Sequence, residues 1–101
     1  MGDLLSRLWE EHMREPFPPH MRGREIDGED MVLLDADMAG CVLSSLSGPL
    51  DAKRHRILLI RLAAVEKVLP SIEDEDGAIE YHERLREMAA VAVELGNTKA
   101  R

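Results

Sequence analysis

Residues 31–46 read MVLLDADMAGCVLSSL, and the reading of this run decides the fold. The run is apolar enough for a protein centre, yet it carries Asp35 and Asp37. Carboxylates are rarely buried without partners. Met31–Leu34 followed by an aspartate could form a buried strand. No second segment of the chain offers itself as a pairing strand, so a helix is expected, and with it an all-α domain. At about 100° per residue the two aspartates then point about 200° apart. They cannot form one two-carboxylate site, which would need a strand or a loop. Asp37 aligns with Asp30 and Ser44 on a polar edge. Asp35 falls among Met31, Ala39, Val42 and Leu46, and is the anomalous residue. Ala36, Gly40 and Ser44 form a small-residue ridge that lets another helix approach closely.

Working outward, three further helices are expected. The first spans about Asp3 to Glu15, with Asp3 as its cap and Pro16 as its stop. Leu4, Leu5, Leu8, Trp9 and Met13 share one face, opposite Arg7, Glu10, Glu11 and Arg14. Pro16-Phe17-Pro18-Pro19-His20 is expected to run extended, followed by a polar loop Met21–Gly28. This long connection reads as a strap with Phe17 plugged into the core. A Pro-rich ligand for another protein's groove is the other reading, without a PxxP context to support it.

The helix built on residues 31–46 starts near Asp27 or Asp30 and stops before Gly48-Pro49. A third helix starts at the cap Asp51 and ends at Leu69-Pro70. Its opening Lys53-Arg54-His55-Arg56 opposes its own dipole but suits the C-terminal end of an antiparallel neighbour. This short basic run is a solvated helix edge rather than a phosphate site. After an acidic linker, Ser71–Asp76, a fourth helix spans about Gly77 to Leu95, with Gly96-Asn97 closing it and residues 98–101 frayed. Ala78, Tyr81, Leu85, Met88, Ala92 and Leu95 form a bundle-type seam. Glu80, Glu83, Glu87 and Glu94 line the outside. The result is a four-helix, bundle-like single domain over residues 1–97.

Bulk properties narrow the function. With 101 residues and one Trp, one Tyr and one Phe, the core must be aliphatic and Met-rich. A net charge of −7 disfavours nucleic acid and anionic membrane as partners. No apolar run approaches the ~20 residues of a membrane span, and no signal-like segment is evident, so a cytoplasmic setting is expected. Cys41 is the single cysteine and reads as a buried, inert thiol.

Each helix also carries one polar intruder on an apolar face: His12, Asp35, Arg61 and His82. Unpaired buried charge costs several kcal/mol, of order 3–5 when a partner is lost. Asp35 and Arg61 are therefore expected to pair, directly or through a water, unless Arg61 snorkels to the surface. The four residues form either a polar network that fixes helix register or a ligand site between helices. Dinuclear carboxylate sites in bundles use Glu-x-x-His, which this chain lacks, and its four histidines show no metal-ligand spacing. Gly-rich phosphate loops and nucleophile elbows are also missing. No cofactor, metal or catalytic residue is assigned.

Leu8-Trp9-Glu10-Glu11-His12, Phe17-Pro18, Gly23-Arg24-Glu25-Ile26 and Asp30–Val42 together resemble a family of small actinobacterial proteins without an assigned activity. The resemblance implies a bacterial cytoplasmic setting and carries over no functional residue. Four short helices can hardly surround a helix that is apolar nearly all round. A homodimer is therefore expected, with Trp9, Phe17, Ala36, Gly40 and Ser44 as interface candidates. The function expected is that of a non-enzymatic interaction or regulatory protein, with an unidentified protein partner or an acidic surface mimic as further options. The alternative is a small-ligand or metal-binding module at the polar cluster.

Overall fold

The computed structural model describes residues 3–73 and 77–99. Four helices dominate: α1 (Asp3–Arg14), α2 (Met31–Ser47), α3 (Ala52–Val68) and α4 (Ala78–Lys99). Short 3-10 turns cover Pro19–Met21 and Leu69–Ser71. A hairpin of two-residue strands, β1 (Glu25–Ile26) and β2 (Glu29–Asp30), precedes α2. The expected all-α, bundle-like domain is what forms.

Local chemistry sets the boundaries. Asp30 caps α2 by accepting from the Leu33 amide at 3.1 Å, and Asp51 caps α3 by accepting from the Arg54 amide at 2.7 Å. Such side-chain acceptors satisfy amides that the first helical turn leaves open. The expected capping by Asp3 concerns a side chain outside the described set, as does the acidic charge at residues 74–76.

Three expectations change. The Pro16–His20 stretch is not extended throughout, because Pro19 opens a 3-10 turn at the position where a missing N–H costs nothing. The 21–28 loop contributes the first strand and the turn of the hairpin, and the turn residues Asp27 (φ 51°) and Gly28 (φ 83°) are both left-handed. That pair is the signature of a tight two-residue hairpin turn. Finally, α4 does not close at Gly96-Asn97 but continues to Lys99, and residues 100–101 of the expected tail lie outside the described residues. Gly96 serves packing instead: a Cβ there would fall 2.6 Å from the His55 ring.

Helices α2 and α3 lie antiparallel. Arg61 of α3 meets Asp37 of α2, while Cys41 Sγ lies 3.7 Å from the Arg54 carbonyl further along. Helix α4 packs against α1, α2 and α3. Its seam residues Ala78, Tyr81, Leu85, Met88 and Ala92 are buried as expected, and Leu95 is half-buried. Met21, Met31, Met38 and Met88 are fully buried, filling the core with adaptable side chains. Phe17 packs against this core from the strap. In α1 the buried line is Leu5, Leu8 and His12, while Leu4 and Met13 of the expected face remain exposed.

Candidate functional site

Two features stand out, one inside the bundle and one on its surface. The inner one lies where α1, α2 and α4 meet. Tyr81 donates its hydroxyl to Asp35 Oδ1 at 2.8 Å. His12 Nε2 sits 3.2 Å from the same hydroxyl and 3.3 Å from the same carboxylate oxygen. His12 is 4% exposed and His82 is fully buried. Helix α2 delivers Asp35 here because it sits on the edge facing away from α3, about 200° from Asp37.

His82 follows Tyr81 on α4. Its Nδ1 lies 2.8 Å from the Ala78 carbonyl, which can only accept, so Nδ1 carries the proton. Its Nε2 and the Nδ1 of His12 have no hydrogen-bond partner among the described residues. Burial pushes the His82 imidazole below its ordinary value, further lowered by His12 and His20 and opposed by the Ala78 carbonyl and Asp35. Burial and the adjacent Asp35 push the Tyr81 phenol far above its ordinary value. The ring of Phe17 closes this cluster edge-on, 5.7 Å from Tyr81 and 6.4 Å from His82 between centroids.

Arg61 does not join the cluster. The expected Asp35–Arg61 pair is replaced by Arg61–Asp37 at 3.1 Å and Arg61–Glu29 at 3.4 Å. The reason is geometric: Arg61 faces the α2/α3 seam, and Asp35 lies on the far side of α2. Lys67 adds a third link, 3.1 Å from Glu29, so the hairpin is tied to α3. Ser71 strengthens this by donating to Asp27 at 2.8 Å. His12, Asp35 and His82 are thus brought together, Arg61 is not, and Tyr81 joins them although the sequence reading placed it only in the packing seam. Its adjacency to His82, one turn from Ala78, was the available signal.

The cluster has the His–carboxylate contact of a general base, but the geometry is turned inward. The nitrogen of His12 that faces Asp35 is Nε2, and the remaining Nδ1 is buried. A cavity of about 90 Å³ beside Tyr81 is lined by Glu15, Pro16, Gly77, Glu80 and Arg84 as well, but by neither buried imidazole. Among the described residues, no group of three or more His, Cys, Asp or Glu side chains is placed to hold a metal ion. Cys41 lies elsewhere, on the α3 side of α2, its thiol pushed up first by burial and then by Asp37.

The outer feature is the solvent side of α2. Val32, Leu33, Ala36, Gly40, Leu43 and Ser47 are all exposed and lie within an arc of about 100°. No charged residue falls within that arc. Ala36 and Gly40 of the interface candidates are therefore at the surface, and Ser44 is half-buried at its edge. Trp9 and Phe17 are half-buried and pack against the core, away from this face of α2. No helix is long and apolar enough to cross a membrane, among the described residues.

No protein-family model, curated protein or solved structure matches this chain.

Proposed function

We propose that the chain is a non-enzymatic interaction protein that works as a homodimer through the outer face of α2. The observation that carries the reading is that face itself. Val32, Leu33 and Leu43 are 44%, 55% and 51% exposed on one helix side without a single charge. Leu4 and Met13 of α1 and Leu59 and Ile60 of α3 are also exposed, but the α2 set is the one that forms a charge-free helix side. Scattered exposed apolar residues are ordinary, but a contiguous apolar helix face marks an interaction surface. Light scattering across a concentration series tests this: the expected mass rises from one chain to two, and a strict monomer at the highest concentration overturns it.

The second reading, a ligand-binding module at His12, Asp35 and His82, draws on the two buried imidazole nitrogens that lack partners. Elemental analysis with a thermal-shift ligand screen tests it. It fails if nothing binds and His12→Ala and Asp35→Ala change stability alone.

A further inference from the structure

The α2/α3 pair is built so that its outward surface is apolar in the middle and oppositely charged at its two ends. The middle is set by residue angles. Arg61 and Asp37 mark the seam between the two helices. Leu33 and Gly40 flank the seam on the α2 side. Ile60, one residue before Arg61 and so about 100° further out, flanks it on the α3 side. Ile60 is 56% exposed. Together with Val32 and Leu43 these side chains expose roughly 400 Å² of apolar surface, about half of one side of a standard interface.

The ends differ in sign. At the start of α2 stand Glu25, Asp27, Glu29 and Asp30 on the hairpin, and these carboxylates outnumber the adjacent Arg24 and the Lys67 that Glu29 holds. Because α3 runs antiparallel to α2, the exposed Lys53 and Arg56 at its start lie beside the finish of α2. The one carboxylate at this end, the α3 cap Asp51, is engaged by Arg54 at 2.9 Å, which leaves Lys53 and Arg56 in excess. A face of this kind is self-complementary only when inverted. A parallel partner copy would set acid against acid and base against base. An inverted one sets each acidic end against a basic end, with the middle, apolar apart from the internally paired Asp37 and Arg61 in the seam, matched to itself.

We infer that a second copy of this chain occupies this face with its α2 antiparallel to the first. Leu33 of each copy then lies over Leu43 of the other, and the acidic hairpin of each over the Lys53 end of the other. The arrangement is a two-fold, isologous contact that closes on itself. The two-fold axis passes between Ala36 and Gly40, whose small side chains admit the closest approach. At Gly40 even an added Cβ would meet nothing within 4 Å inside the chain, so the space there is open to a partner. This inference rests on the homodimer reading above and adds the orientation and the contacting residues.

Cysteine pairing distinguishes the orientations, because the only native thiol is buried and wild type serves as the blank. Leu33→Cys and Leu43→Cys both alter exposed positions and leave the core intact. In the inverted dimer, residues 33 and 43 of opposite copies adjoin, whereas 33 and 33 are about 15 Å apart along the axis at 1.5 Å per residue. A disulfide needs Cα atoms within about 7 Å. Under mild oxidation, the equimolar mixture is expected to give at least fivefold more covalent dimer than either variant alone. Efficient pairing of each variant alone means a parallel dimer and overturns the orientation. Absence of pairing with a dimeric mass in light scattering places the interface elsewhere and overturns the inference while the homodimer stands. A monomeric mass overturns both. Lys53→Glu is expected to raise the dimer dissociation constant threefold or more at low salt, and an unchanged constant removes the end-to-end charge match.

Discussion

Replacing Tyr81 by Phe removes one oxygen from the centre of the bundle and leaves the ring packing in place. That oxygen donates to Asp35 at 2.8 Å and touches His12 Nε2 at 3.2 Å. A hydrogen bond to a charged acceptor contributes about 1.5–3 kcal/mol. The Asp35 side chain is 20% exposed, so water replaces part of the lost bond and the lower end applies, about 1.5 kcal/mol. For a domain of this size that corresponds to a fall of roughly 6–12 °C in melting temperature. Urea unfolding of wild type, Tyr81→Phe, Asp35→Ala and the double variant closes a thermodynamic cycle. The expected coupling between the two positions is about 1 kcal/mol. Because Tyr81 is the only tyrosine, tyrosinate absorbance gives an independent readout. The folded phenol titrates well above its ordinary value. The folded protein therefore holds its proton where the unfolded chain releases one. Stability from this group is full below about pH 10 and is lost as pH rises past it. Additive single effects, or a tyrosinate signal near pH 10 from the still-folded protein, would refute the assignment.

The histidine behind Tyr81 gives a prediction at the acid side. Burial depresses the His82 imidazole, which faces His12, His20, Asp35 and the Ala78 carbonyl. The unfolded chain then binds the proton first, so stability falls as pH drops below about 6.5. Denaturant midpoints measured from pH 7.5 to 5 should decline in wild type and decline less in His82→Gln; parallel curves would remove His82 from this role. At the far end of α4, Gly96→Ala should improve helix propensity by up to about 1 kcal/mol, but its Cβ meets the His55 ring at 2.6 Å. The substitution is expected to be more favourable in a His55→Ala background than in wild type by about 1 kcal/mol. Equal effects in thermal unfolding of both backgrounds would show that His55 moves aside freely.

Much of the fold was legible because local signals agreed with one another. Asp30, Asp51 and Gly48-Pro49 bound α2 and α3 where capping chemistry says they should, and the α4 seam follows from spacing alone. The Asp27-Gly28 pair carries a hairpin-turn signal too, but strands of two residues each are too short to show the alternation that would mark them as strands. Gly96 misled because glycine ends most helices it follows, whereas here it answers to His55, 41 positions away in the sequence. The Asp35–Arg61 pairing failed for a related reason. A helical wheel assigns both residues to packed faces but cannot say which neighbour each face meets. Once α3 packs on the Asp37 side, Arg61 finds Asp37 and Glu29, and Asp35 is left for α1 and α4.

The two aspartates thereby link the inner and outer features of the molecule. Their i, i+2 spacing puts one on each flank of α2. Asp35 is held at the α1/α4 side by Tyr81 and His12, and Asp37 at the α3 side by Arg61. With both carboxylates fixed at seams, the remaining arc of α2 has no charge left to present, and its outer surface is Val32, Leu33, Ala36, Gly40 and Leu43. An aspartate one position earlier or later would have broken this arrangement. Moved to 36, a carboxylate would stand in the middle of the proposed interface, over Gly40 of the other copy and only about 6 Å along the axis from its own counterpart. Ala36→Asp therefore probes the whole construction. It leaves every internal hydrogen bond of the cluster intact, so stability of the single chain should change little. Like charges brought together at a desolvated contact should abolish dimerisation. A dimer that survives Ala36→Asp in light scattering, at low salt and unchanged affinity, would show that α2 does not meet its own copy.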